Sequence, residues 1–463
     1  MKENNNISRR NFLRTASLAS LGLMVAGCAS DGGKEQSAAS APRKKGAMTY
    51  RVNHNTGDTV SVLGFGFMRL PSVNGRAAAN DDSPLDQEEI NRMVDEAIAN
   101  GVNYFDTSPA YCRGLSEAAL GEALKRHPRD KVFIATKLSN FDPSQHSHEE
   151  SVAMFNRSLQ YLQTDYIDYY LLHVVGSGSF KGLHDRFLDN GMLDFCKEQR
   201  AKGTIRNLGF SYHGDVDCFL DFLERHDRGE VHWDFVQIQL NYVNWEHPAE
   251  PSDRNITAEF LYNELVKRDI PVVIMEPLLG GALAKVPKLV AAKMAQRRPE
   301  ESVASWAFRF AAQPKVLTVL SGMTYMDHLR DNLATYSPLE PVTAEEHEFL
   351  MRCATEIVEN KSVPCTSCAY CMPCPYGIDI PATFRHYNTA LNDDLVLDGR
   401  DPRYAEARRQ FLQGYDKAVD PLRQADMCIG CGKCVSHCPQ GIKIPAELAR
   451  INDYVQGRRN KIS

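Results

Sequence analysis

The stretch VFIATK at residues 132–137 decides the architecture of most of this chain. Its first four residues are apolar without a break, which is typical of a parallel strand covered by helices on both faces. Residues 272–275, VVIM, form a second run of the same kind. The two runs predict a parallel sheet buried between helices.

Short apolar strands alternate with amphipathic helices from about residue 60 to residue 335. The predicted strands are 61–67, 102–107, 131–137, 166–174, 205–211, 235–241, 271–276 and 316–321. The predicted helices are 86–100, 115–127, 148–162, 190–202, 215–225, 257–268, 301–312 and 326–335. Such a succession predicts an α/β fold, a (β/α)8 TIM barrel with its active site at the C-terminal ends of the strands. A doubly wound sheet would carry Gly-x-Gly-x-x-Gly after its first strand, but GFG at 64–66 stands alone.

Polar residues cluster where successive strands should end. Asp106 and Tyr111 follow the second predicted strand, Lys137 ends the third, and His173 ends the fourth. Each residue alone has an ordinary explanation, such as a solvated lysine, a packed tyrosine or a hydrogen-bonded histidine. Together at neighbouring strand ends of one barrel, they indicate an active site.

Seven stretches between about residues 50 and 335 resemble the aldo-keto reductase family. They are GVNYFDTSPAY, SEAALGEAL, VFIATK, DYYLLH, GFSYH, VQIQLNY and MEPLLGGAL. The resemblance implies a reductase that moves hydride between a nicotinamide and a carbonyl or alcohol. By position it implies a catalytic tetrad of Asp106, Tyr111, Lys137 and His173.

This tetrad is chemically coherent. A carbonyl that accepts hydride develops negative charge on its oxygen and needs a proton, which Tyr111 can supply. The ordinary phenol pKa of about 10 is poorly matched to neutral pH, so we expect the Lys137 cation to favour the phenolate. Asp106 would balance Lys137, and His173 would donate a hydrogen bond to the carbonyl oxygen.

The resemblance also implies positions for the cofactor, NADP(H) or NAD(H). The implied contacts are Ser211 and Gln237 for the carboxamide, Leu278 and Gly280 in the pyrophosphate loop, and Ser321, Gly322 and Asn332 for the second phosphate and adenine. Tyr212 stands where the family commonly has Asn. His328 stands where many members have Arg, so the sequence only leans toward NADP. Tyr242 and Trp245 offer either an aromatic wall for a ring substrate or ordinary packing.

Eight of the thirteen cysteines form two short runs near the C-terminus. They are Cys365, Cys368, Cys371 and Cys374 in the first run, and Cys428, Cys431, Cys434 and Cys438 in the second. In two-cluster ferredoxins the last cysteine of each run, followed by Pro, ligates the other cluster. The runs therefore predict two [4Fe–4S] clusters with crossed ligation, although Cys374 follows after two residues rather than three. Zinc is the alternative, but it explains neither the third CxxC step nor the repeated Cys-Pro.

The tail carrying these runs resembles a bacterial subgroup in which the barrel is followed by a ferredoxin-like domain. The matching phrases are CTSCAYCMPCPYGIDIP and CIGCGKCVSHCPQGIKIP. We expect a barrel over residues 49–340 and a small, mostly α-helical ferredoxin-like domain over 341–463. The clusters would act as an electron relay or as a structural brace.

The N-terminus has the pattern of an export signal. SRRNFL at residues 8–13 resembles a twin-arginine motif, and VAGC at 25–28 resembles a lipobox that ends in a lipidated Cys28. We expect a signal peptide over 1–27, a flexible tether over 28–48 and a lipid anchor in the cell envelope. A disordered tail is the plain alternative.

Composition narrows the class of partner. The net charge of −6 mixes both signs and gives no footprint for nucleic acid. The leading interpretation is an exported, lipid-anchored oxidoreductase acting on a small carbonyl or alcohol. The alternative is an electron-transfer module whose barrel is a scaffold for docking a redox partner.

Overall fold

A computed structural model describes residues 47–78, 83–248, 256–360, 362–397 and 400–459. The predicted signal peptide, Cys28 and the tether as far as residue 46 lie outside the described residues. Within them, no helix is both long and apolar enough to cross a membrane.

Eight parallel strands close into a barrel, as the sequence predicted. They are β3 (Leu63–Gly66), β4 (Tyr104–Asp106), β5 (Phe133–Leu138), β6 (Ile167–Val175), β7 (Ile205–Tyr212), β8 (Phe235–Gln239), β9 (Val272–Met275) and β10 (Val316–Gly322). Neighbouring strands pair in chain order, and β10 pairs with β3 to close the ring. Every predicted strand is present, although some begin or end a few residues inside the predicted range.

Helices alternate with these strands and continue into the tail. The helices of the described residues are α1 (Gln87–Ala99), α2 (Ser116–Leu124), α3 (His148–Leu162), α4 (Ser179–Leu183), α5 (Met192–Lys202), α6 (Val216–Asp227), α7 (Ala258–Lys267), α8 (Lys288–Arg297), α9 (Val303–Ala311), α10 (Met326–Tyr336), α11 (Ala344–Glu359), α12 (Ile380–Asn392), α13 (Tyr404–Ala418) and α14 (Ile444–Arg459). The short helix α4 and the helix α8, which follows the loop after β9, were not predicted.

The strand register brings the predicted catalytic residues to one rim. Asp106 ends β4 and pairs in register with Ala135 of β5, so Lys137 stands two residues further toward the rim. Lys137 pairs with Leu171 of β6, which places His173 two residues further again. This progressive stagger is the shear that closing a barrel requires. Side chains from three neighbouring strands therefore converge at the C-terminal face.

A two-stranded hairpin closes the opposite face of the barrel. It consists of β1 (Tyr50–Val52) and β2 (Thr59–Ser61), which pair antiparallel. Asn53 Nδ2 donates to Tyr169 Oη at 3.3 Å, and Tyr169 Oη donates to Asp58 Oδ2 at 2.9 Å. The hairpin was not predicted, because strands of three residues are too short for periodicity to reveal them.

The tail has a hydrophobic core of its own, distinct from that of the barrel. Buried apolar residues between Val363 and Val455 form it, among them Phe384, Phe411 and Ile451. No strand forms in the described part of residues 341–459. The helix α11, assigned to the tail on sequence, instead buries Phe349 and Leu350 in the barrel's core. Barrel and tail belong to one compact unit.

Replacing Gly121 of α2 with Ala tests the packing of α2 against α3. A Cβ on Gly121 would lie 2.2 Å from the carbonyl oxygen of Tyr161, so one helix must shift. We expect Gly121→Ala to lower the free energy of unfolding by about 1–3 kcal/mol in urea titrations followed by circular dichroism. Helix propensity alone would favour Ala by about 1 kcal/mol, so a stabilised variant would contradict this packing.

Candidate active site

Lys137 and Asp106 form a buried ion pair at the floor of the rim. Lys137 Nζ donates to Asp106 Oδ1 at 2.6 Å and to the Thr107 carbonyl oxygen at 2.8 Å, and both side chains are almost fully buried. Burial lowers the pKa of Lys137 and raises that of Asp106, while each partner acts against burial on the other. Removing one member of such a pair leaves an uncompensated charge, which costs about 3–5 kcal/mol. The pair is therefore a fixed dipole beneath the rim.

Tyr111 lies against this pair in a short turn, Tyr111–Gly114, whose residues Cys112 and Arg113 have left-handed backbones. Lys137 Nζ lies 4.7 Å from the centre of the Tyr111 ring. Burial, reinforced by the negative charge of Asp106, raises the pKa of Tyr111 well above its ordinary value. The lowering expected from Lys137 is not found, because burial dominates. The phenol therefore holds its proton at neutral pH, and it would donate that proton only as negative charge develops on a bound carbonyl oxygen.

His173 is held by a chain of hydroxyl groups. Its Nδ1 lies 2.7 Å from Ser139 Oγ, which lies 2.8 Å from Ser108 Oγ. Burial, together with the charges of Lys137 and Arg186, places the pKa of His173 well below its ordinary value. The imidazole is therefore neutral at pH 7, and its other nitrogen, Nε2, is left for a ligand. Sequence reasoning missed Ser139, which lies just beyond β5 without a distinguishing motif.

Two of the residues predicted to hold a carboxamide lie side by side. Ser211 and Gln237 pair in register across β7 and β8. Ser211 Oγ accepts a hydrogen bond from Val174 N at 2.9 Å. Gln237 Oε1 is buried with no hydrogen-bond partner among the described residues. A buried orphan acceptor is costly unless a ligand supplies a donor, so this oxygen fits a carboxamide N–H.

The predicted phosphate residues lie on the neighbouring strand and helix. Asn332 Nδ2, in α10, donates to Ser321 Oγ near the end of β10 at 2.8 Å, and Gly322 is the last residue of that strand. Both side chains of the pair are buried, at the C-terminal end of β10. The residues present fit a nicotinamide dinucleotide at these positions.

The loop after β9 contacts the tail as well as the rim. Leu278 O accepts from Gly281 N in the turn, and Gly280 N donates to Glu276 Oε2 at 2.6 Å. A Cβ on Gly280 would lie 2.1 Å from the Thr366 Cα, and the Arg69 guanidinium donates to the Thr366 carbonyl oxygen. The glycine predicted to approach a pyrophosphate therefore lies against the backbone of the first cysteine run. Arg69 and Glu276 were not predicted from the sequence.

Trp245 and Tyr242 are packing residues. Both are buried, and their rings contact Phe310 in α9. These contacts agree with ordinary packing, one of the two alternatives that the sequence offered.

The cysteines of the two runs fall into two neighbouring groups. Burial, then the charges of Cys365 and Cys438, raises the pKa of Cys368 to about 12. After burial, the charges of Cys368, Cys365 and Cys438, and then that of Cys434, raise the pKa of Cys371. The pKa of Cys434 is raised by burial and then by Cys374, Cys428 and Cys431.

Because charge interactions weaken with distance, Cys438 of the second run is a neighbour of the first run's thiols, and Cys374 is a neighbour of the second's. A cluster would take these thiols as thiolates, so its binding would release their protons. In the described part of the chain, no three His, Cys, Asp or Glu side chains are already drawn together around one metal ion.

Replacing Ser139 with Ala tests the hydroxyl chain that holds His173. In ¹⁵N NMR of histidine-labelled protein, we expect the native His173 to stay neutral as the pH falls through the ordinary histidine pKa of about 6.5, because its own pKa is depressed. Ser139→Ala should shift the Nδ1 resonance, which a His173→Gln spectrum assigns. Ser108→Ala is the control, since it leaves the contact between Ser139 and His173. An unchanged Nδ1 resonance in Ser139→Ala would contradict the geometry.

Two protein-family models match the chain. Residues 62–353 match the model of the aldo/keto reductase family, and residues 364–443 match that of a 4Fe-4S dicluster domain. The chain is 26% identical over 332 residues to L-galactose dehydrogenase from Arabidopsis thaliana, which covers 68% of this chain and 96% of that protein.

Two solved structures share the barrel. The holo form of aldo-keto reductase AKR11C1 from Bacillus halodurans has a TM-score of 0.52 and 24% identity, covering 66% of this chain and 96% of that chain. A Gox0644 variant in complex with NADPH has a TM-score of 0.50 and 19% identity, covering 66% of this chain and 94% of that chain. At these identities the likeness concerns the fold. With a family model matched over more than half of its length, the chain belongs to the aldo/keto reductase family.

Proposed function

We propose that this protein transfers hydride between a nicotinamide dinucleotide and a small carbonyl or alcohol. Membership of the aldo/keto reductase family implies an NAD(P)-dependent oxidoreductase. The observation that carries the proposal is the buried ion pair of Lys137 and Asp106, which lies directly beneath Tyr111 and beside His173. A buried charge pair of this kind has to be stabilised by its surroundings. It lies at the C-terminal ends of the strands, where the active sites of (β/α)8 barrels are found.

The four side chains divide the work on a carbonyl group. The nicotinamide, when bound, supplies the hydride to the carbonyl carbon. His173, neutral and fixed by Ser139, donates a hydrogen bond to the carbonyl oxygen through its free nitrogen. The Tyr111 hydroxyl gives its proton to the same oxygen as negative charge develops there. Lys137 stabilises the phenolate that remains, and Asp106 keeps Lys137 in place.

The dinucleotide would lie along the rim from β7 to β10. Ser211 and Gln237 would hold the carboxamide, and Ser321, Gly322 and Asn332 would hold the second phosphate and the adenine side. NADPH is the cofactor bound by the Gox0644 variant. For this chain we propose NADP(H) ahead of NAD(H), with His328 taking the place of the common arginine.

The tail would hold two [4Fe–4S] clusters with crossed ligation. Cys438 would complete the cluster of Cys365, Cys368 and Cys371, and Cys374 would complete that of Cys428, Cys431 and Cys434. The neighbour relations of these thiols support the arrangement, as does the match to a 4Fe-4S dicluster domain.

We also propose export by the twin-arginine route and lipidation at Cys28. The support is the pattern of residues 8–13 and 25–28. Export of an already folded protein would let clusters and a tightly bound nicotinamide be inserted before passage.

Electron transfer to a redox partner is the second candidate function. Apolar side chains around the second cysteine run are exposed, with Ile429 64% and Leu422 76% accessible. Cys431 is exposed as well. Exposed apolar patches of this kind mark interaction sites more often than ordinary surface. A partner docked there would meet the cluster of Cys428, Cys431 and Cys434.

Replacing Tyr111 with Phe tests the hydride-transfer proposal. The variant keeps the ring and loses only the acidic hydroxyl. We expect NADPH binding, followed by fluorescence, to remain, while kcat for methylglyoxal or for L-galactose oxidation falls about 10²–10⁴-fold. Tyr161→Phe is the control, because Tyr161 is an exposed tyrosine of α3. Native protein that binds neither NADPH nor NADH would contradict the proposal.

Single-cysteine variants test the crossed ligation. We expect about eight irons per native chain, and about four in either Cys438→Ser or Cys374→Ser. EPR of the reduced proteins should show a different remaining cluster in the two variants. Cys353→Ser, a buried barrel cysteine outside both runs, should keep the full iron content. If Cys438→Ser and Cys434→Ser were to lose the same cluster, ligation would follow the runs rather than cross between them.

A further inference from the structure

Tyr370 belongs to the tail by sequence but lies at the barrel's rim. It stands between Cys368 and Cys371 in the first cysteine run. Its ring centre lies 5.9 Å from that of Phe141, in the loop after β5, and the Phe141 ring lies 5.0 Å from the His173 imidazole. The three rings form a continuous aromatic wall, which we call the rim wall, from the barrel's proposed hydrogen-bond donor into the tail.

The segment that carries Tyr370 is anchored on the other side of the rim. The Thr366 carbonyl oxygen accepts a hydrogen bond from Arg69, in the loop after β3. The Thr366 backbone also packs on Gly280, in the loop after β9. Residues 366–370 therefore run across the mouth of the barrel, from the predicted pyrophosphate loop to the rim wall.

The backbone of this segment is strained around a cluster ligand. Ser367 and Ala369, on either side of Cys368, have positive φ angles of 52° and 64°. Residues with a Cβ adopt this conformation at a cost, and it persists where the surroundings impose it. Ligation of Cys368 and Cys371 would impose it, so cluster assembly and the placement of Tyr370 are linked.

The rim wall continues to the proposed proton donor. The Tyr111 ring centre lies 5.9 Å from that of His173. Tyr370, Phe141, His173 and Tyr111 therefore follow one another as ring contacts from the tail to the tetrad.

We propose that Tyr370 is a substrate-contacting residue of the active site, supplied by the iron–sulfur tail and held in place by ligation of Cys368 and Cys371. The rim wall fits a carbonyl or alcohol borne on a flat ring, since rings stack on or pack edgewise against aromatic faces. This assignment rests on the proposed hydride transfer. It explains why the segment with the cluster ligands lies across the mouth of the barrel: the tail completes the substrate site.

Replacing Tyr370 with Ala tests the assignment on cluster-loaded protein. The probes are 4-nitrobenzaldehyde, which carries a ring, and methylglyoxal, which does not. We expect Tyr370→Ala to raise KM for the ring compound roughly two- to tenfold, the range of one aromatic contact, with methylglyoxal unaffected. Tyr370→Phe keeps the ring and should behave like the native protein. Tyr376→Ala is the matched control, because Tyr376 is an exposed tyrosine of the same cysteine run.

A readout independent of turnover is the quenching of bound NADPH fluorescence by iodide. We expect Tyr370→Ala to expose the nicotinamide to iodide, as should native protein stripped of its clusters, while Tyr376→Ala stays protected. Unchanged quenching and unchanged KM in Tyr370→Ala would overturn the inference and leave the proposed function standing. Weaker NADPH binding equal to the rise in KM would also overturn it, because Tyr370 would then hold the cofactor. Native protein without any nicotinamide binding would contradict the proposed function, and the inference with it.

Discussion

Closure of a parallel barrel is the constraint on which the other features depend. Because all eight strands run the same way, their C-terminal ends share one rim, and the hairpin of β1 and β2 seals the opposite face. The stagger between neighbouring strands then brings Asp106, Lys137 and His173 together from separate parts of the chain. Side chains from several strands therefore meet at this rim. The first cysteine run of the tail contacts the loops of the same rim, at Gly280 and Arg69.

Burial at the rim determines the charge state of each group. It raises the pKa of Tyr111 and lowers that of His173, so both are neutral near pH 7 and both can donate a hydrogen bond. At the floor, Lys137 and Asp106 compensate each other's charge. A site in this state is arranged to stabilise negative charge that appears on a substrate oxygen, rather than to hold a permanent anion.

Features that leave a repeating pattern in the sequence, namely the strands and the cysteine runs, could be predicted. Features that depend on contacts between distant segments could not. Apolar periodicity predicted the strands, and cysteine spacing predicted the iron–sulfur domain that the match to a 4Fe-4S dicluster domain supports. Ser139, Glu276 and Arg69 carry no motif, since their positions matter only once the loops meet. For Tyr242 and Trp245 the sequence left open an aromatic wall or ordinary packing, and their rings pack against Phe310. The aromatic wall at the rim is formed by Phe141, Tyr370 and His173. Phe141 and Tyr370 are far apart in sequence and belong to different domains. The helix α11 was assigned to the tail because it precedes the cysteines, but its apolar face belongs to the barrel.

That the first cysteine run and the barrel's rim form a single site is tested most directly by EPR of a Cys374→Ser variant. This variant should retain only the cluster of Cys365, Cys368, Cys371 and Cys438, whose segment lies against Gly280 and Arg69. Spectra of the anaerobically reduced protein are recorded with and without saturating NADPH. A change in the g-values or line shape on NADPH binding is the predicted result. An identical spectrum, with NADPH binding verified by fluorescence in the same sample, would contradict a shared site.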